Sequence, residues 1–185
     1  MRTHKRTTFA TGIALAALLL AACGSSGSED PVLADLGLDG MSGQELVEYL
    51  DQSEESRPLA FGASVREFEV LVSDGQTEVD VPLPEDAHYV SVAPFVESTH
   101  DCYYHSLATC QGELVGERVD VTITDDDGAV LVQETATTYA NGFVGFWLPR
   151  DVTGTIEVKR GDLAGSVPFS TSEGDPTCIT TLQLT

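Results

Sequence analysis

The amino-acid sequence predicts an α+β protein: a small N-terminal α+β part over residues 32–95, then a C-terminal immunoglobulin-like or transthyretin-like β-sandwich over residues 96–185. Three observations carry this reading. A capping box, Ser42-Gly-Gln-Glu45, opens an amphipathic stretch. At Glu67 the hydrophobic period changes to two. From Val119 onward, short alternating runs recur at regular spacing between Gly/Asp turns.

Taken in order, Arg2, Lys5 and Arg6 precede the apolar run Ile13–Leu20, which ends in Leu20-Ala-Ala-Cys23. A charged start, a short apolar core and small residues before a cysteine predict a lipoprotein signal peptide over 1–22, with lipidation at Cys23. The run is too short for a convincing membrane span. Residues 23–31, ending Gly24-Ser-Ser-Gly-Ser-Glu-Asp-Pro31, read as a flexible tether. The protein is therefore expected outside the cytoplasm, lipid-anchored to a bacterial cell membrane. A diacylglyceryl group on Cys23 would supply the two chains that stable anchoring needs.

The capped helix carries Leu46, Val47 and Leu50 on one face and stops before Pro58. Phe68, Val70 and Val72 alternate with Glu69, Leu71 and Ser73 up to a hairpin turn at Asp74-Gly75, and Val79 and Val81 return. A strand is expected over His88–Ala93, ended by Pro94. Val119–Thr124, Ala129–Val132, Phe143–Leu148, Gly154–Val158, Gly165–Phe169 and Ile179–Leu184 supply the strands of the sandwich. Between Glu97 and Glu113 neither period holds.

Charge excludes several functions. The chain has 9 Lys+Arg against 30 Asp+Glu, a net charge of −21. Three of the basic residues lie within the signal, so the mature part carries six against thirty, or −24. Nucleic-acid binding needs a basic footprint that is lacking here. Binding of the folded part to anionic lipid is excluded on the same ground.

The cysteine count is more informative. With Cys23 assigned to lipid, Cys102, Cys110 and Cys178 remain, an odd number for an exported protein. Cys102 and Cys110 sit with His100 and His105 in the pattern His-x-Cys-x2-His-x4-Cys. Thiolates and imidazoles are soft or borderline donors that favour Cu(I), Zn(II) or iron–sulfur centres over Ca(II) or Mg(II). The spacing is not that of a zinc finger. A structural disulfide is the competing reading. Closing about 70 residues with Cys178 is worth roughly 4 kcal/mol in the chain-entropy model, and the short Cys102–Cys110 loop about 2.5 kcal/mol. The partner of Cys178 stays open.

Other candidates are weaker. Asp125-Asp-Asp-Gly128 lacks the alternate spacing of a calcium loop and reads as a hairpin turn. His100, Asp101 and Ser106 supply the residue types of a hydrolytic triad without a nucleophile elbow. His88 reads as a surface or satisfied histidine, and Phe143, Phe146 and Trp147 as sandwich core.

Ser91-Val-Ala-Pro-Phe95, Thr99-His-Asp-Cys-Tyr-Tyr-His-Ser-Leu-Ala-Thr-Cys-Gln-Gly-Glu113, Asn141-Gly-Phe-Val-Gly-Phe-Trp-Leu-Pro-Arg150 and Pro176-Thr-Cys-Ile-Thr-Thr-Leu-Gln-Leu184 closely resemble the CueP family. These are extracytoplasmic copper-binding proteins of bacterial copper resistance. The resemblance implies metal binding by Cys102, Cys110, Cys178, His100 and His105, with copper as Cu(I) or Cu(II). It also implies two domains with the metal motif in the second, a capacity to dimerise, and copper supply to a periplasmic Cu,Zn superoxide dismutase. The expected function is to sequester, and pass on, Cu(I). The alternative is a thiol-redox protein that reduces Cu(II) or scavenges oxidants through its cysteines. The lipobox departs from the soluble members and argues for retention at the membrane.

Overall fold

The computed structural model describes residues 30–185, so the expected signal peptide, Cys23 and nearly all of the tether lie outside the described residues. Two helices come first, α1 (Pro31–Asp35) and α2 (Gly43–Asp51). Asp30 caps α1 by accepting the Val32 N–H, and Pro31 occupies the first turn, where no N–H is required. The last two residues read as tether thus begin a helix. At α2 the capping box is formed: Ser42 Oγ accepts from the Glu45 N–H at 3.3 Å, and the Glu45 carboxylate accepts from the Ser42 N–H at 2.8 Å. Arg57 closes the other end, its guanidinium donating to the Leu50 and Ser53 carbonyls and also reaching the Leu107 carbonyl.

The fold is β-rich: among the described residues ten strands form three sheets. In the first, β1 (Gly62–Val65), β2 (Glu69–Ser73) and β3 (Glu78–Pro82) run antiparallel. The expected hairpin turn follows β2, with Gly75 at φ 91° and Asp74 Oδ1 accepting the Gln76 and Thr77 N–H groups. Val70 and Val72 are buried in a core shared with Leu46, Val47 and Leu50 of α2. Phe68 departs from the expected alternation. It precedes β2 and is half exposed, with the Arg150 guanidinium 4.1 Å from its ring. Sequence analysis also passed over β1, because four residues are too few to display a period.

The second sheet joins β4 (Ala87–Val92) antiparallel to β7 (Val144–Pro149) and parallel to β10 (Cys178–Ile179). The third has the order β6-β5-β8-β9, built from β5 (Arg118–Asp125), β6 (Val130–Thr137), β8 (Thr153–Arg160) and β9 (Leu163–Ser170). Val90 and Val92 of β4 share a core with Phe146 and Leu148 of β7 and with Val121, Ile123, Ile156 and Val158 of the third sheet. Tyr89, on the opposite face of β4, belongs to the core of α2 and β1–β3. Strand β4 is thus buried on both faces, and its sheet partners both come from the C-terminal part. Period-two patterning finds such a strand but cannot choose its partners. The last expected strand is shortened to Cys178–Ile179, with an isolated bridge from Gln183 to Phe95 beyond it. Leu182 and Leu184 alternate because both are buried in the core, without a continuous ladder. Among the described residues no helix is long and apolar enough to cross a membrane.

Candidate metal centre

The aperiodic stretch between β4 and β5 is held by hydrogen bonds to distant segments instead of by a ladder. The Tyr103 carbonyl accepts the N–H groups of Thr177 and Cys178 at 3.0 and 3.1 Å. Thr177 Oγ1 accepts the His105 N–H at 2.9 Å and donates to the Val65 carbonyl at 2.8 Å. The Val65 N–H returns to the His105 carbonyl at 2.8 Å. One buried hydroxyl therefore ties β1, the His105 segment and the start of β10 together. Cys110 is turned back toward Cys102 by its N–H bond to the Ser106 carbonyl at 3.1 Å.

These ties bring all five predicted residues into two overlapping groups. Donor atoms of His100, Cys102 and Cys110 lie within 4.8 Å of one another, as do those of His105, Cys110 and Cys178. Cys110 is common to both. The Cys102 and Cys110 sulfurs are 3.4 Å apart, and Cys178 Sγ is 3.8 Å from His105 Nδ1. All three cysteines are free thiols. The second group is buried throughout, whereas the first borders an open depression lined also by Tyr104 and Gln111. His100 Nε2 is buried without a hydrogen-bond partner, so it retains a coordination position. Phe143, fully buried, covers the cluster with its ring 4.5 Å from that of His105 and 6.1 Å from that of His100.

The thiols do not titrate alike. Cys110 is driven far below an ordinary thiol by hydrogen bonds from Cys102 and then Cys178, with His105 adding to the effect. Cys178 is pushed far up, since its thiol donates to Cys102 and Cys110 and is buried. Of these two, Cys110, the sulfur both groups share, is the one favoured as thiolate. Thiolate is the form that ligates metal.

Sequence analysis missed Asp51. Its Oδ1 lies 2.8 Å from His105 Nε2, and both side chains are fully buried. Tyr89 donates to Oδ2 at 2.6 Å, Ser91 to Oδ2 at 3.1 Å and Asn141 to Oδ1 at 2.6 Å. Burial works against the charged forms of both partners. Attraction and the direct hydrogen bond prevail, so His105 is raised well above its ordinary value and Asp51 lowered. A signal was present: Val47, Leu50 and Asp51 follow the i, i+3, i+4 stripe of α2, which puts a carboxylate on the apolar face.

The remaining candidates stay outside both groups. Asp125 and Asp126 serve a turn, Asp125 accepting the Ala129 N–H and Asp126 the Thr153 hydroxyl. His88 is fully buried, with Nε2 3.3 Å from the Pro176 carbonyl and Nδ1 unpartnered. Ser106 Oγ accepts from Thr109 and lies in no triad arrangement. Of the three aromatics expected to share one core, only Phe146 joins the β4–β7 core, while Phe143 caps the sulfur cluster. Trp147 packs on Tyr89 at 4.8 Å and donates to Glu48.

Three thiols and two imidazoles gathered on a β-rich scaffold define a protein equipped for a soft or borderline metal ion. Comparison with known families gives the rest. Residues 45–183 match the family described as periplasmic copper-binding protein CueP, and the chain belongs to that family. It is also similar to a solved structure described as the crystal structure of S.CueP, at 41% identity and a TM-score of 0.82, covering 88% of this chain and 100% of that one. No match was found among the curated proteins.

Proposed function

We propose that this protein captures Cu(I) outside the cytoplasm with Cys102, Cys110 and Cys178 as thiolate donors and His105 and His100 as nitrogen donors. In this reading it holds the ion against toxic release and passes it to a copper-requiring extracytoplasmic enzyme such as Cu,Zn superoxide dismutase. One observation carries the proposal: soft donors from separate segments converge in two groups, each within 4.8 Å, around the shared Cys110 sulfur. Lipid on Cys23 would keep the site at the cell membrane, and a second copy of the chain would pair with it. The C-terminal part is read as an immunoglobulin-like or transthyretin-like sandwich, supported by the core that β4 and β7 share with the third sheet.

A competitive Cu(I) titration of the reduced protein tests the proposal, repeated with each cysteine changed to Ser. Tight binding that weakens in the variants is expected; weak binding by the unaltered reduced protein would overturn it.

The second reading, Cu(II) reduction by thiols, draws on the 3.4 Å separation of the Cys102 and Cys110 sulfurs. Two thiolates joining as a disulfide release two electrons, enough for two Cu(II) ions, and an outside dithiol must then restore them. Multiple turnovers with such a donor favour this reading, and a single turnover favours capture.

A further inference from the structure

We propose that Asp51 is a positioning residue for copper capture: its carboxylate fixes the His105 ring with the proton on Nε2 and the Nδ1 lone pair turned to Cys110 and Cys178. The inference rests on the copper reading above and adds a residue from outside the Cys/His motif.

The argument begins with donor counting. An ionised carboxylate only accepts hydrogen bonds. Tyr89 and Ser91 bring hydroxyls to Oδ2, and Asn141 brings its amide N–H to Oδ1, so three of the four neighbours act as donors. The fourth, His105 Nε2 at 2.8 Å from Oδ1, must donate as well. With Asp51 keeping the proton on Nε2, Nδ1 is the ring atom left for a metal ion once the imidazole is neutral, and it lies 3.8 Å from Cys178 Sγ. A half-turn of the ring would forfeit the Asp51 bond inside a fully buried site, and Phe143 packs against the ring at 4.5 Å. The orientation is thus held from α2, β4 and the segment before β7 together. Metal-ligating histidines commonly give their second N–H to a carboxylate, which fixes the tautomer and strengthens the ligand.

A buried ion pair also has a bland reading, as a piece of core polarity with no bearing on the metal. The two differ in how Asp51 and His105 combine. In Asp51→Asn the amide N–H₂ can face His105 Nε2, turning that atom into an acceptor and moving the ring proton to Nδ1, against the sulfurs. Copper affinity of the reduced protein is expected to fall by about 10- to 100-fold. Made in a His105→Ala background, the same change is expected to cost less than about threefold, because the side chain through which Asp51 acts is gone. Equal losses in both backgrounds, or no loss in either, would overturn the proposal.

A second measurement needs no variant. Cu(I) is diamagnetic, so nitrogen-15 NMR of the copper-loaded protein reads the His105 tautomer directly. A proton on Nε2 supports the proposal; a proton on Nδ1 overturns it even where Asp51→Asn does not fold. Weak Cu(I) binding by the unaltered reduced protein would be the separate failure of the copper reading.

Discussion

Replacing Cys110 with Ser removes the sulfur common to both donor groups, whereas replacing Cys102 leaves His105, Cys110 and Cys178 intact. The two substitutions should therefore differ widely in effect. Structural zinc sites with four ligands are worth about 10–16 kcal/mol, or roughly 2.5–4 kcal/mol per ligand if shared equally. At about 1.4 kcal/mol per decade, losing a ligand that cannot be replaced weakens binding about 100- to 1,000-fold. Cys110→Ser is expected to fall in that range. Cys102→Ser, which removes a partly buried sulfur from the open group alone, is expected to lose less than about tenfold. Both serines are close in size to the thiol, so thermal melting of the metal-free proteins should show each still folded. The assay is competition for Cu(I) against a chromophoric chelator under reducing conditions. Equal losses in the two variants, or a larger loss in Cys102→Ser, would refute the assignment of Cys110 as the shared donor.

Three further outcomes follow from the geometry. Gly142 has φ 80°, and a Cβ there would sit 2.5 Å from the Gly112 carbonyl oxygen, so Gly142→Ala should cost about 2–4 kcal/mol in urea unfolding of the metal-free protein. Phe143→Ala empties a fully buried position over His105 and should cost about 3–5 kcal/mol by the same measurement. Glu113 accepts the N–H groups of Ser98, Glu97 and Val96, which hold its carboxyl below its ordinary 4.5. A depressed carboxylate stabilises above its unfolded value and loses that contribution as pH falls through the folded one. The protection factors of the residue 96–98 amides, taken against the intrinsic exchange rate at each pH, should therefore fall on acidification below about pH 4.5 in the unaltered protein, and be low already at neutral pH in Glu113→Gln.

Local chemistry was legible wherever one short segment settles its own conformation. The capping box at α2 and the Asp74-Gly75 turn formed as expected, since their hydrogen bonds close within a few residues. The strands from Val119 to Phe169 were legible because buried and exposed side chains alternate along β5 and β8. Strand β1 and the choice of partners for β4 were not, because four residues or two apolar faces leave no pattern to read. Of the site, the five Cys/His side chains stood out by residue type. Asp51 did not, although its place on the apolar stripe of α2 marked it as out of character.

The sequence by itself determined which atoms are available for chemistry: three cysteines beyond Cys23, two histidines close to two of them, and a net charge of −21. Only the tertiary structure decided that Cys178 stands beside Cys110, that Cys110 is the sulfur in common, and that a helix from the other end of the chain supplies a carboxylate to His105. The physical reason is separation along the chain. Donor softness belongs to a side chain wherever it lies, but convergence of partners 54 and 73 residues from His105 depends on packing that no local pattern records.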